Sequence, residues 1–146
     1  MFIDQVTNAG ALPVLERMLQ FSARRQTLIQ HNIANLSTSG FQPKDVSVEA
    51  FQAQLAGAVD ARRKKFGGQR GELELGNSRQ VTTDGPGSLR LNPVSSGRNV
   101  LFHDRNNRDA ERLMQDLVEN AGQFRVASDL LKSRMDLLRS AITERP

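Results

Sequence analysis

The chain has 146 residues, a formal net charge of +4 at pH 7 and no cysteine. One modest folded core is therefore expected, and disulfide and thiolate chemistry are excluded. Hydrophobic residues make up 38% of the chain, with seven Phe and neither Trp nor Tyr, which predicts a lean core. No apolar run approaches the roughly 20 residues needed to span a bilayer, and residues 1–10 lack the basic start and apolar stretch of a cleavable secretory signal.

The first segment, residues 1–40, predicts a helix followed by a turn. Its key positions alternate three and four residues apart, as on one face of a helix that pairs with another. Pro13 suits a first helical turn, and Gly40 is expected to end the segment. These positions are Leu12, Leu15, Leu19, Ser22, Gln26, Ile29, Ile33 and Leu36.

The second segment, residues 41–65, predicts a short amphipathic helix. Either Asp45 or Ser47 can accept hydrogen bonds from the first free backbone amides. The helix runs into the basic run Arg62, Arg63, Lys64 and Lys65. Its apolar face consists of Val48, Phe51, Leu55 and Val59.

The third segment, residues 66–103, has a different composition. It holds seven of the eleven glycines together with Pro86 and Pro93. Short polar–apolar alternations occur at residues 72–75 and 89–91, so one β-hairpin is the candidate for regular structure. We expect this segment to be a loop region, with more surface than core.

The fourth segment, residues 104–146, carries the strongest pattern. A helix from about residue 107 to residue 143 would be about 55 Å long, with Asn106 and Asp109 as a short-acid capping pair. Its stripe keeps the 3.5-residue period of a coiled-coil seam, and only Ser128 interrupts its apolar or small character. The stripe is Ala110, Met114, Leu117, Ala121, Phe124, Ser128, Leu131, Met135, Leu138 and Ile142.

Charges follow the opposite side of the same helix at four-residue spacing. Examples are Arg112 with Asp116 and Lys132 with Asp136, which favour a solvated outer face. The predicted fold is mainly α, with long N- and C-terminal helices that pair as a coiled coil, a short middle helix and a Gly-rich loop or hairpin region. The expected helix-pairing residues are Leu15, Leu19, Ile29, Ile33, Met114, Leu117, Ala121, Phe124, Leu131, Met135, Leu138 and Ile142.

Two other functional classes are disfavoured. The basic run 62–65 could neutralise a few phosphates, but the chain has no Tyr or Trp for base stacking and residues 104–146 are net neutral. His31 and His103 are the only histidines, which is too few for a convincing metal or catalytic site without cysteine. The glycines beside Pro86 lack the Lys-Ser/Thr of a phosphate loop. We therefore expect that the protein is not an enzyme, and that it binds no nucleic acid, metal or cofactor.

Residues 32–41, NIANLSTSGF, resemble the N-terminal signature of the flagellar axial proteins, which comprise the rod, hook and hook-associated families. In that signature a helix ends in Asn-x-x-Thr-x-Gly-aromatic. Asn and Thr side chains can bond the groups left open at a helix end, glycine can take a positive φ, and the aromatic ring can anchor the turn. The motif residues are Asn32, Ile33, Ala34, Asn35, Thr38, Gly40 and Phe41.

The C-terminal half is similar to the short, proximal rod proteins within that family. The likeness lies in residues 97–100 (GRNV), the pair Glu119–Asn120 and the long heptad helix. It covers about residues 1–55 and 97–144, and leaves the Gly-rich middle unmatched. Arg98 and Ser39 depart from the family, which usually has Asn and often has Pro at these positions.

The resemblance implies a structural subunit of the bacterial flagellar basal body. Such subunits are exported by the flagellar type III apparatus without a cleaved signal and polymerise in the periplasmic rod. The implied partners are other rod subunits, membrane-ring or adaptor proteins and further copies of the chain. Burial of apolar side chains nearly balances the ordering of backbone in a single chain, so we expect one or both terminal segments to become ordered on assembly.

Overall fold

The structure is a computed structural model that describes residues 10–68, 70–85, 87–95 and 109–143. This part of the chain is mainly helical, as predicted. It contains three helices and two small antiparallel sheets of two strands each. In chain order the elements are α1 (Leu12–Ala34), β1 (Lys44–Asp45), α2 (Val48–Phe66), β2 (Val81–Thr83), β3 (Leu89–Leu91), β4 (Val94–Ser95) and α3 (Ala110–Thr143).

Helix α1 begins as predicted and ends earlier than predicted. Pro13 stands in its first turn, where its missing amide hydrogen is not needed. The last helical residue is Ala34, because Asn35 leaves the helical conformation with φ −103° and ψ 12°. Gly40 therefore belongs to the following turn and does not end the helix itself.

Helix α2 distinguishes between the two capping candidates. The Ser47 hydroxyl accepts a hydrogen bond from the Ala50 amide at 3.1 Å, so Ser47 is the N-cap. Asp45 instead faces Arg25 of α1. At the other end Gly67 adopts a left-handed conformation with φ 71° and donates its amide to the Arg63 carbonyl.

The hydrophobic core lies between α1, α2 and the Gly-rich segment, not between the two terminal helices. The rings of Phe21 on α1 and Phe51 on α2 are stacked with centroids 4.0 Å apart. Where the structure describes residues 66–103, most of them are half-buried or exposed, as predicted, but the segment also supplies four residues of the core. In the described part of that segment the alternating leucines turn inward while Glu72 and Glu74 stay in water. The core residues that it supplies are Leu73, Leu75, Val81 and Leu89.

The strands close this core from two sides. β2 and β3 form an antiparallel hairpin in which Val81 lies opposite Leu91. β1 pairs with β4, so that Asp45 lies opposite Val94. The second pairing joins the segment after α1 to the segment that leads toward α3.

Helix α3 has 34 residues and is about 51 Å long at 1.5 Å per residue. The Asp109 carboxylate accepts the Arg112 amide at 3.1 Å and caps its start; Asn106 lies outside the described residues. The predicted four-apart ion pairs are replaced in this helix, because Asp116 pairs with Arg25 of α1 and Asp136 pairs with Arg139. Helices α1 and α3 pack against each other and are antiparallel, since Arg25 meets Asp116 whereas Ser22 meets Asn120.

Candidate assembly surface

The turn motif is anchored by Asn32, which is 4% exposed near the end of α1. Its amide nitrogen donates to the Lys44 carbonyl at 2.8 Å, and its amide oxygen accepts the Lys44 backbone amide at 3.2 Å. Asn32 thus pairs with the backbone of β1 as a neighbouring strand would. This fixes where the chain returns after the turn.

The remaining motif residues close the turn locally. The Asn35 amide nitrogen donates to the His31 carbonyl at 2.9 Å, and the Thr38 backbone amide donates to the Asn35 carbonyl at 3.0 Å. Gly40 has φ 74°, as predicted. The Phe41 ring lies against the His31 ring with centroids 5.4 Å apart. Ile33 is half-buried and Ala34 is exposed on the last turn of α1.

A buried polar cluster lies where α1 crosses α3. Asn120, which is 0% exposed, donates to the Ser22 carbonyl at 2.9 Å and to the Gln26 side-chain oxygen at 2.7 Å. Next to it Arg25, 5% exposed, forms two hydrogen bonds with Asp45 at 2.8 and 3.1 Å and one with Asp116 at 3.4 Å.

The charge on Arg25 is maintained by its two carboxylate partners. Burial alone lowers the pKa of Arg25, but the hydrogen bonds and proximity of Asp45 and Asp116 outweigh burial and raise it. The guanidinium therefore stays charged and links α1 to both β1 and α3.

The side of α3 that faces α1 is rotated relative to the predicted stripe. Leu117, Leu131 and Leu138 belong to both and are half-buried. The rest of the contact face lies one residue before the predicted positions Ala121 and Ser128. Asn120 and Ala127 are therefore the fully buried residues. Asn120 is accommodated there by its hydrogen bonds to Ser22 and Gln26 of α1. The predicted stripe residues that are exposed as a result are Ala110, Met114, Ala121, Phe124, Met135 and Ile142.

On α1 the predicted pairing residues are distributed differently. Leu15 and Ile29 are buried, at 7% and 1% exposure, whereas Leu19 and Ile33 are half-buried. The pairing of all these residues in an assembly stays a prediction, since the structure holds a single chain.

Helix α3 is unusual in how much apolar surface it leaves in water. Val118 is 71% exposed and Ile142 is 70% exposed. Eight of the ten exposed large hydrophobic residues in the described chain lie on this helix. They are Met114, Val118, Phe124, Val126, Leu130, Met135, Leu137 and Ile142.

The basic run at the end of α2 is not a patch of four equivalent cations. Arg62 is 5% exposed and donates to the Gly10 carbonyl at 2.8 Å and the Arg70 carbonyl at 3.2 Å. Arg63 pairs with Asp60 at 3.6 Å, and Lys65 pairs with Glu74 at 3.7 Å. Three of the four cations are therefore engaged with groups of the same chain.

Sequence reasoning missed the polar cluster at the α1–α3 crossing. Arg25, Asp45 and Asp116 belong to no contiguous motif. Asn120 did leave a signal, because it stands seven residues from both Leu113 and Ala127, and a polar residue in an apolar heptad position is typical of a register determinant.

In the part of the chain that the structure describes, no group of three or more His, Asp and Glu side chains is placed to hold a metal ion. His103 lies outside that part. None of the described helices combines the length and apolarity needed to cross a membrane. No family model matches the chain, and no curated protein matches its sequence significantly.

Proposed function

We propose that this protein is a structural subunit of the bacterial flagellar basal-body rod, similar to FlgB, which polymerises through its terminal helices. The observation that supports this proposal best is the exposed apolar surface of α3. Large apolar surfaces are seldom exposed on monomeric proteins, and where they occur they usually mark association sites. Burying a large side chain completely is worth about 1.5–3 kcal/mol, so several along one helix favour association.

Most of the exposed apolar residues lie on two flanks of α3, on either side of the face that α1 covers. At 3.6 residues per turn, Met114 and Met135 fall on one flank, whereas Val126, Leu130 and Leu137 fall on the other. Val118 lies on the back of the helix, beside Asp129. The back of the helix between the flanks carries polar residues such as Asp129 and Ser133. A helix of this kind suits a packed layer in which it meets more than one neighbouring helix. The extended coiled coil that we propose would form there, between subunits.

The turn motif adds a second line of support. Its sequence resembles that of the axial proteins, and Asn35 and Gly40 act as the motif chemistry predicts. The turn sets the direction in which the chain leaves α1, which a helical polymer must keep constant from copy to copy. We accordingly propose a periplasmic location in the rod after type III export, with other rod subunits and ring or adaptor proteins as partners.

Another short rod paralogue, such as FlgC, is the alternative within this class, because the Gly-rich middle segment resembles neither protein and so does not distinguish between them. A nucleic-acid-binding role has less support, since three of its four supporting cations are engaged with groups of the same chain.

Assembly is tested by sedimentation velocity and negative-stain electron microscopy over rising protein concentration. The wild type is expected to form rings or filaments. Leu137→Asp, on one flank of α3, should suppress them while the helical circular dichroism of the monomer is retained. The control is Gln115→Asp on the polar back of α3, which should assemble normally. Wild-type protein that stays monomeric throughout would exclude self-assembly.

The flagellar part of the proposal is tested in the native host. Deletion of the gene should abolish swimming and leave basal bodies without a complete rod, and wild-type protein should restore both. A swimming deletion strain with complete basal bodies would contradict the rod assignment, whatever the protein does in solution. Amide exchange of α3 in monomer and polymer then tests the expected gain of order, because amides protected equally in both would contradict it.

A further inference from the structure

Asn120 does not maximise the stability of the contact between α1 and α3. It is completely buried, and its side-chain oxygen has no hydrogen-bond partner among the described residues. A buried acceptor without a partner is destabilising, whereas an apolar residue of similar size would avoid this loss. Its presence therefore calls for a reason other than stability.

That reason is the register between the two helices. Among the described elements, α3 packs extensively only on α1, and the fourteen residues that join β4 to α3, 96–109, are enough chain to span a shift of about 10 Å. Apolar side chains recur every seven residues along α3, as at Leu117, Phe124 and Leu131. A slip of one heptad, about 10 Å along the axis, would keep much of the apolar contact.

The ion pair of Arg25 excludes only one of the two possible slips. In one direction Gln123 would replace Asp116 opposite Arg25, and the charge would lose its partner on α3. In the other direction Asp109 would replace Asp116, because it stands seven residues earlier, and an ion pair could form again. The ion pair alone thus permits this second slip, here called the Asp109 slip.

Asn120 discriminates against the Asp109 slip. In the observed register Asn120 lies beside Ser22, and Leu15 is one heptad away along α1. After the Asp109 slip Asn120 would lie beside Leu15, where an apolar side chain offers no hydrogen bond, and Leu113 would lie beside Ser22. We infer that Asn120 is the register determinant of the α1–α3 pair. Its unpaired buried oxygen lowers the stability of the contact, but only the observed register, in which Asp116 faces Arg25, gives Asn120 hydrogen-bond partners. This inference concerns one chain and does not depend on the proposed rod function.

The experiment measures the alignment of the two helices directly. Because the chain has no cysteine, Gln30→Cys on α1 and Asp129→Cys on α3 introduce spin labels at two exposed sites. Their separation is measured by pulsed electron paramagnetic resonance, with excess unlabelled protein to suppress distances between molecules. The parent protein should give one distance. Asn120→Ala should add a second population about 10 Å longer, since seven residues rise by that amount.

Two further variants separate register from mere stability. Asp109→Asn keeps the helix cap, because Asn caps as well as Asp, but removes the acid that the slipped register needs. Added to Asn120→Ala, it should restore the single distance. Gln115→Ala, on the exposed back of α3, should leave the distance unchanged.

Circular dichroism establishes that each variant is folded, and Asn120→Leu replaces Asn120→Ala if the latter loses helix. A single native distance in the folded Asn120 variant would overturn the inference. So would a second population that survives in the Asp109→Asn double variant, because the second population would then not be the Asp109 slip.

Discussion

Asn32 and Lys44 are joined by two hydrogen bonds that run in opposite directions between the side-chain amide of Asn32 and the backbone of Lys44. The Asn32 amide donates to the Lys44 carbonyl at 2.8 Å and accepts the Lys44 amide at 3.2 Å. This arrangement explains why Asn is needed at the start of the turn motif. An aspartate has no donor for the carbonyl, and a serine is too short to span both groups.

Replacing Asn32 by alanine should destabilise the protein by about 1–3 kcal/mol, because the Lys44 amide and carbonyl lose two partly buried hydrogen bonds. Asp should be at least as harmful, since its carboxylate would face the Lys44 carbonyl. The free energy of unfolding from urea denaturation measures both effects. Gln30→Ala, on the exposed side of the same helix, serves as the control and should change stability little. Equal stability of Asn32→Ala and the parent would show that the pair is not important to the fold.

Leu89 should behave as a core residue even though it lies in the Gly-rich segment. It is 0% exposed, and Leu89→Ala is expected to destabilise the protein by about 2–5 kcal/mol through lost burial and the cavity left behind. Arg90→Ala, on the neighbouring exposed position, removes only a surface ion pair with Asp84 and should change stability by less than about 1 kcal/mol. Thermal unfolding of both variants checks this contrast. A small effect of Leu89→Ala would contradict the assignment of Leu89 to the core.

Two glycines should respond in opposite ways to the same substitution. Gly40 has φ 74° in the turn, so Gly40→Ala should destabilise by about 1 kcal/mol because the left-handed conformation disfavours a Cβ. Gly57 lies inside α2, and an added Cβ there meets nothing within 4 Å. Gly57→Ala should stabilise by about 0.5–1 kcal/mol. Denaturation midpoints measure both, and the same sign for the two variants would contradict the backbone explanation.

Glu49 should add a pH-dependent contribution at the start of α2. Its own backbone amide and the Ser47 hydroxyl donate to its carboxylate and lower its pKa below the usual 4.5. The folded state therefore binds the proton less readily than the unfolded state, so the contribution is complete above the usual pKa and is lost as pH falls through the lowered value. The stability difference between wild type and Glu49→Gln should shrink on acidification. A direct NMR titration of the Glu49 carboxyl group checks the pKa, and a value at or above 4.5 would refute it.

Local patterns predicted the elements well because they depend on nearby residues. The Ser47 cap, Pro13 in a first turn, Asp109 before α3 and the positive φ at Gly40 each depend on chemistry within a few positions. The same holds for the existence of three helices. The end of α1 was misplaced because Asn35, not Gly40, takes the first non-helical conformation.

The amino-acid sequence by itself determined that long amphipathic helices form at both ends and that a turn follows the first, since helix period and capping are local properties. Only the tertiary structure decided which side of α3 meets α1, because a broad apolar stripe allows several rotations, and in the observed one Asn120 is buried against the Ser22 carbonyl. Tertiary structure also decided that Leu73, Leu75 and Leu89 enter the core and that Arg25 joins Asp45 to Asp116. These contacts join residues far apart in the chain, and no local pattern records which distant side chains will meet.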